Sequence, residues 1–398
     1  MGAGYRIRAV VVGPGYIGPV HADALRRNGV QVVGLVGSGS ERGLARADAL
    51  GIPAFASLAD ALASGPVDCV HIATPNYLHA PLVREAIAAG KHVVCEKPLA
   101  MDAAEGEELL RLAEAAGIVH AVNFNFRFYA LTRQARALVG AGDLGPVRLI
   151  HGGYLQDWLL LPTDWNWRLD PALGGDLRAV ADIGSHWLDL AGFLTGQRPA
   201  AVCADLATTV PVRRKPARAV DTFANKGAAA PAGEAGEEVA IRTEDYAGVL
   251  IRFDGGAHGV MTVSQVSPGR KNRLAFEIDG EWSSLAWNSE RIEELWMGHR
   301  DRPNELLQRD PALLEPDARA VSEAPGGHAE GYVETHRALF AAVYRAIAEG
   351  GPPAEPDYPT FADGLSSLRL GEAIARSARE NRWIEVDSLP VPGGPADA

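Results

Sequence analysis

Two short stretches of this sequence combine residue types that move protons. The first is HVVCEKPL at residues 92–99, an apolar run that ends in Glu96, Lys97 and Pro98. Proline keeps the residue before it extended. Lys97 is therefore expected at the mouth of a buried strand, with a carboxylate beside it. An ammonium held there could stabilise developing alkoxide charge and share a proton; a strand that simply reaches the surface is the plainer alternative. The second stretch is ADIGSHWLDL at residues 181–190. Asp182 and His186 are four apart, which on a helix puts both on one face. A carboxylate in the first turn is favoured by the helix dipole, and imidazole is the natural base near neutrality. Alone, Asp182 reads as a helix cap and His186 as a satisfied histidine. With Lys97 they make a carboxylate, an imidazole and an ammonium suited to one alcohol.

These residues need elements to position them. Apolar, β-branched runs at 7–12, 30–36, 67–73, 92–95 and 118–123 alternate with helical spacing at 16–28, 41–50, 81–89 and 103–116. Strand–helix alternation implies a doubly wound parallel sheet with right-handed crossovers. From about residue 147 the pattern changes to a strand, an aromatic loop and a helix at 182–195. Longer alternating strands follow at 200–209, 246–253, 257–264, 273–279 and 283–287. Consecutive strands joined by Gly turns predict a mostly antiparallel sheet. The small, polar stretch NKGAAAPAGEAGEE at 225–238 reads as a mobile inserted loop. Helical patterns at 332–349 and 361–380 close the fold, and 387–398 reads as a disordered tail. The expected domains are 1–125 and 126–386, with a late helix able to return to the first.

After the first strand comes GPGYIG at residues 13–18, directly before a helix. This G-x-G-x-x-G has a phosphate-cradle context. Gly13 permits the turn, Gly15 lets backbone approach a pyrophosphate, and Gly18 lets helix and strand pack closely. The helix N-terminus supplies free N–H groups. Tyr16 and Ile17 complete the loop. NAD sites commonly carry an acid at the second strand's tip. Here that tip reads VGSGSER, so Ser38, Ser40 and Arg42 are expected to hold a 2′-phosphate. NADP is slightly favoured over NAD. Ligands bind beyond the carboxyl ends of such sheets. Thr74, Pro75, Asn76 and His79 after the third predicted strand, with Glu96 and Lys97, are expected to line the nicotinamide.

The chain has 398 residues, 47% hydrophobic and 22% charged, with a net charge of -12. That charge argues against a nucleic-acid surface. No run approaches the roughly 18 to 20 apolar residues of a membrane span, and no signal-peptide cleavage pattern is read. The expectation is a cytoplasmic protein with neither nucleic-acid nor membrane partners. Three scattered cysteines, Cys69, Cys95 and Cys203, make neither a disulfide framework nor a zinc site; no metal is expected.

Together GPGYIG at 13, ATPN at 73, EKP at 96 and DIGSH at 182 resemble the Gfo/Idh/MocA family of nicotinamide-dependent oxidoreductases, across nearly the whole chain. The resemblance implies an α/β protein: an N-terminal Rossmann domain, and a C-terminal α/β domain with a large, open, mostly antiparallel sheet. It implies a homodimer or homotetramer formed through that sheet. It carries catalytic roles to Lys97, Asp182 and His186, and places Asn125 and Arg127, in NFNFR at 123–127, beside the nicotinamide or substrate. The missing strand-tip acid is similar to the family's NADP users.

For the substrate, the stretch from Tyr154 to Arg168 mixes Trp158, Trp165, Trp167 and Arg168 with Asp and Asn. Flat faces for C–H surfaces and polar edges for hydroxyls suit a sugar or polyol; a tryptophan-rich cap on the core is the alternative. Ser264–Gln265, residues 270–272 and the segment GGHAE at 326–330 could also contribute. The expectation is hydride transfer between nicotinamide and a secondary hydroxyl or ketone of a pyranose sugar, glycoside or sugar derivative. An inositol (cyclitol) dehydrogenase is the rival within the class. A non-catalytic NAD(P)- or sugar-sensing binding protein is the rival outside it.

Overall fold

The computed structural model describes residues 7–37, 39–217 and 236–386, and of Arg42 only the backbone. Ser38, the Arg42 side chain, most of the loop expected at 225–238, and the tail from 387 lie outside the described residues. The chain forms two compact units. One runs to Asn125 and takes in Tyr332–Leu368; the other holds Phe126–Gly331 and continues from Arg369.

The first unit alternates strands and helices: β1 (Arg8–Val12), α1 (Ile17–Arg27), β2 (Gln31–Val36), α2 (Glu41–Leu50), β3 (Ala54–Phe55), α3 (Leu58–Ala63), β4 (Cys69–Ile72), α4 (His79–Ala88), β5 (His92–Cys95), α5 (Ala103–Ala115) and β6 (His120–Val122). The six strands are parallel, in the order β3-β2-β1-β4-β5-β6. Burial on both faces explains their continuous apolar runs. Val10, Val70 and Val93 are fully buried in one core with Leu109 and Phe361. The order reverses between β1 and β4, the switch point where open α/β sheets bind ligands. The sequence reading passed over β3 and α3, because two residues of strand carry no periodic signal.

In the second unit, α6 (Ala130–Ala141) precedes β7 (Val147–Leu155), followed by α7 (Pro171–Gly174) and α8 (Ser185–Thr195). The remaining strands are β8 (Pro199–Ala207), β9 (Val212–Lys215), β10 (Glu237–Ala240), β11 (Tyr246–Phe253), β12 (His258–Ser264), β13 (Arg273–Gly280), β14 (Ser283–Asn288), β15 (Glu294–His299) and β16 (Glu305–Gln308). The short α9 (Pro316–Arg319) follows, then α10 (Tyr332–Ala348), α11 (Phe361–Glu380) and β17 (Ile384–Glu385). Nine strands form one sheet in the order β16-β15-β14-β13-β7-β12-β11-β8-β17. It is mixed: β7 and β12 run parallel, and every other adjacent pair is antiparallel. The pair β9–β10 forms a separate small sheet. The reading missed β15, β16 and this pair. Glu237 and Glu238, counted there within a loop, begin β10.

The helix expected at 182–195 begins differently. Val180–Gly184 is a π turn, and the α-helix starts only at Ser185. Its entry is held from outside: Glu244 accepts the Arg178 N–H at 2.9 Å and the Val180 N–H at 2.9 Å. The anion at this helix entry is thus Glu244, and Asp182 sits within the wide turn. π turns of this kind recur at functional sites.

Two buried histidines of the first unit make its stability depend on pH. Burial lowers the pKa of His120 and of His336 to about 4. His120 Nδ1 accepts the Phe361 N–H at 3.1 Å, which requires an unprotonated nitrogen. Both rings are neutral when folded and can protonate when unfolded. The unfolded chain therefore binds more protons between the ordinary value of 6.5 and about 4. Stability is full above that window and is lost as pH falls through it, by roughly 1.4 kcal/mol per unit for each histidine. Urea unfolding of His336→Phe is expected to show a shallower pH slope than wild type over this window; an unchanged slope contradicts the assignment.

Candidate active site

The glycine loop follows from close backbone contact. A Cβ on Gly13, at φ +115°, would stand 2.3 Å from the Ala73 carbonyl oxygen, and one on Gly18 would stand 2.0 Å from the Gly13 carbonyl oxygen. Neither position admits a side chain. A Cβ on Gly15 would meet nothing within 4 Å, so that face of the loop is open. The Gly13 N–H donates to Val36 O at 2.9 Å and the Ala73 N–H to Val12 O at 2.7 Å, binding β2, β1 and β4 into one rim. Thr74, on that rim, has a buried hydroxyl oxygen with no hydrogen-bond partner among the described residues. An open loop at the start of α1 and an unmet hydroxyl fit a dinucleotide. Gly13, Gly15, Gly18 and Thr74 are the residues that would hold it. Tyr16 is exposed and Ile17 half-buried, at the first turn of α1. Pro75 and the buried Asn76 begin a single 3-10 turn.

Ser40 plays a local part: its hydroxyl accepts the Gly43 N–H at 3.3 Å and caps α2. His79 is fully buried, with Nδ1 2.7 Å from Pro98 O and Nε2 3.0 Å from Thr74 O. It pins the two loops that carry Thr74 and Lys97 and presents no nitrogen outward. Lys97 is half-buried, directly after β5. Glu96 turns inward: Oε1 faces His21 Nε2 at 3.1 Å and accepts from the Asn123 amide. Burial raises the Glu96 pKa. The His21 hydrogen bond, the charge of Lys97 and the Asn123 amide outweigh it, holding the carboxyl far below its ordinary range. Asn125 is buried and donates to Thr335 Oγ1 at 2.8 Å.

In the second unit, Asp182 is held from two sides. Arg168 Nε lies 3.0 Å from Oδ1, and Gln265 Nε2 donates to Oδ2 at 2.8 Å. Gln265 is fixed in turn, because its Oε1 accepts from Arg178 Nη1 at 3.2 Å. Arg178 is fully buried and paired with Asp245, which also pairs with Arg213 at 2.9 Å. His186, one turn after Asp182, is buried with its ring 5.1 Å from Phe126 and 6.3 Å from Tyr154. Tyr154 and Gln156 both donate to Asn272 Oδ1, at 2.6 and 2.8 Å, and the Trp158 N–H donates to Gln156 Oε1 at 2.8 Å. Arg127 donates to both Asp189 oxygens, at 2.8 and 2.5 Å, so its fork is taken up on α8.

The tryptophans divide. Trp158 is buried in a small core with Leu159, Leu169 and Ile241, and Trp165 packs against it. Trp167 is half-buried beneath the Arg168 guanidinium, 4.4 Å from its ring centre. The GGHAE segment is anchored by Arg309, which donates to His328 O at 2.5 Å. Sequence reasoning missed Arg178, Asp245, Glu244 and Arg213. Arg178, four residues before Asp182, and the acidic pair entering β11 were the available signals.

Two family models match. One, described as an oxidoreductase family with an NAD-binding Rossmann fold, matches residues 7–124; the family's C-terminal domain matches 132–286. The chain belongs to the Gfo/Idh/MocA oxidoreductase family. A levoglucosan dehydrogenase of Pseudarthrobacter phenanthrenivorans is 32% identical over 330 residues, 81% of each chain. A levoglucosan dehydrogenase solved with NADH and L-sorbose superposes with TM-score 0.85 at 28% identity, covering 96% of this chain and 99% of that one. An inositol dehydrogenase homologue from Azotobacter vinelandii, solved with NAD+, gives 0.83 at 26% identity, covering 96% and 97%. The Gfo/Idh/MocA assignment makes this chain an oxidoreductase with a nicotinamide dinucleotide site in its first unit.

Gln265→Leu removes hydrogen bonds to two charged groups, each worth roughly 1.5–3 kcal/mol. Urea unfolding is expected to show a loss of about 3 kcal/mol; a loss within experimental error contradicts the bridge.

Proposed function

We propose that this protein is an NAD-dependent dehydrogenase acting on a secondary hydroxyl of a pyranose sugar or sugar derivative, with Lys97, Asp182 and His186 as its catalytic residues. The observation that carries the reading is the Asp182 carboxylate, locked by Arg168 and Gln265 one turn before a buried imidazole. An alcohol needs a base for its proton, a fixed partner for its hydroxyl and a nearby cation as negative charge grows. Bound NAD supplies the hydride acceptor. His186 takes the hydroxyl proton. Asp182, kept in one orientation, accepts a hydrogen bond from the substrate. The Lys97 ammonium stabilises the developing alkoxide.

A sugar is supported by the polar wall of Tyr154, Gln156 and Asn272 and by the half-buried Trp167–Arg168 pair. It is also supported by the likeness to levoglucosan dehydrogenase. Likeness to the inositol dehydrogenase homologue keeps a cyclitol as the second reading. NAD is preferred here to NADP. The two solved relatives hold NADH and NAD+. Beside Ser40, the earlier expectation of NADP leaned on Ser38 and Arg42, whose side chains are not described.

The nine-stranded sheet supports self-association. One face packs on α6 and α8. The other carries the row Leu250, Val260, His151, Glu277, Ala286, Trp296 and Leu306 across successive strands. Leu250, Val260 and Leu306 in it are exposed, as is Leu149. Apolar groups gathered on an open sheet suit a homodimer or homotetramer. Val260→Lys is expected to shift the mass seen by light scattering toward the monomer; an unchanged mass sinks this surface.

A panel of pyranoses, anhydrosugars and inositols, run with NAD and NADP in turn, tests the activity. Reduction of NAD by a pyranose is expected. Cofactor binding without turnover on any member points to a sensor instead. Lys97→Met and His186→Ala are expected to lower kcat by roughly 10²-fold or more; near-normal turnover in either refutes that residue's role.

A further inference from the structure

The first unit contains a buried line of titratable groups that the proposed chemistry does not use. It starts at Glu96 Oε1, which faces His21 Nε2 at 3.1 Å. His21 Nδ1 faces His71 Nδ1 at 3.1 Å, and His71 Nε2 faces the Tyr344 hydroxyl at 2.9 Å. His21 and His71 are fully buried and Tyr344 is 5% exposed. The three elements are α1, β4 and α10, and Phe340 seals the line with its ring 4.8 Å from His21 and 4.7 Å from His71.

With His21 neutral, the protons on this line follow step by step. Glu96 is a carboxylate and can only accept. His21 Nε2 must then carry a proton. If His21 is neutral, its lone pair is on Nδ1, and His71 Nδ1 donates to it. That leaves His71 Nε2 as the acceptor for the Tyr344 O–H. Donation runs one way, from Tyr344 to His71 to His21 to Glu96. Without the tyrosine hydroxyl, His71 loses the partner that fixes its tautomer. His21 could then turn its lone pair toward Glu96, an arrangement that repels the carboxylate.

We propose that His71 and Tyr344 are positioning residues that lock a neutral His21 as its Nε2–H tautomer, and so keep Glu96 a fixed, hydrogen-bonded anion beside Lys97. The catalytic part rests on the reading of Lys97 given above. The surroundings are consistent with a neutral His71: burial lowers its pKa well below the ordinary value. Other titratable groups bearing on Glu96 are Cys95 before it, His79 on α4 and His336 on α10, all buried. Cys69, on β4, reaches the line through Tyr344. His336 donates from Nδ1 to Tyr332 O at 2.9 Å, while its Nε2 has no partner among the described residues. Its hydrogen bond among the described residues therefore runs off the line, to the backbone of α10.

Nitrogen-15 NMR of histidine-labelled wild-type protein near neutral pH reads the lock directly and needs no variant. His21 is expected with Nε2 protonated and Nδ1 bare. A bare Nε2, or a doubly protonated ring, overturns the proposal. In kinetics, Tyr344→Phe and His71→Leu are expected to lower kcat about tenfold, the scale of one lost hydrogen bond. The acid limb of the kcat–pH profile should move, with little change in KM for the sugar. His71→Asn, which restores a donor toward His21, is expected to recover part of the loss. Folded variants whose pH profile matches wild type overturn the proposal. Lys97→Met separates the two claims: if it turns over normally the catalytic reading fails, whereas the NMR result stands or falls independently.

Discussion

A buried carboxylate has to be compensated, and much of the first unit is arranged around Glu96. An uncompensated charge in an interior costs several kcal/mol. The compensation comes from separate parts of the chain: His21 from α1, Asn123 from the end of β6, and Lys97 alongside. The Glu96 N–H also donates to Ile72 O at 2.9 Å, which ties the end of β5 to β4. The helix that supplies His21 is the one whose first turn, with Gly13 and Gly18, forms the open dinucleotide loop. Cofactor cradle and lysine therefore share one support. Helix α10, far along the sequence, completes it by covering His21 and His71 with Phe340 and Tyr344.

The second unit solves a similar problem with ion pairs. Asp245 is fully buried between Arg178 and Arg213, and Glu244 takes the amides that open the turn carrying Asp182. Breaking such a network from one side is costly because it strands a charge. Arg178 then passes its orientation to Asp182 through the Gln265 amide. Arg213 donates to Leu159 O at 2.7 Å and Leu161 O at 2.8 Å, so the same network holds the tryptophan-bearing loop. Oriented acid and aromatic loop depend on one buried charge cluster.

The alternating apolar runs of the first unit and the G-x-G-x-x-G between strand and helix were legible because burial on both faces and a tight turn leave a local signature. The large strands β11 to β14 were legible for a different reason: one face buried and one open leaves an alternating pattern, clearest in β11 and β12. What was hidden is what depends on distant partners. The π turn under Asp182 is held by Glu244, sixty-odd residues away, so i, i+4 spacing suggested an ordinary helix. Ser40, read toward a phosphate, also caps its own helix by accepting the Gly43 N–H, a role that only its place before α2 discloses. His79, read toward the cofactor, turned out to be a strut between two loops. His21 sits in plain view after the glycine motif, yet its partners lie in β4, β5 and α10. No local pattern joins them.

The most direct test of the account follows the hydrogen itself. A pyranose substrate deuterated at the carbinol carbon is turned over with NAD, and the reduced cofactor is examined by mass spectrometry. The account predicts deuterium in the reduced nicotinamide from wild type. Reduced cofactor without the label, or label lost to solvent, would contradict hydride transfer from a sugar hydroxyl and with it the role assigned to this fold.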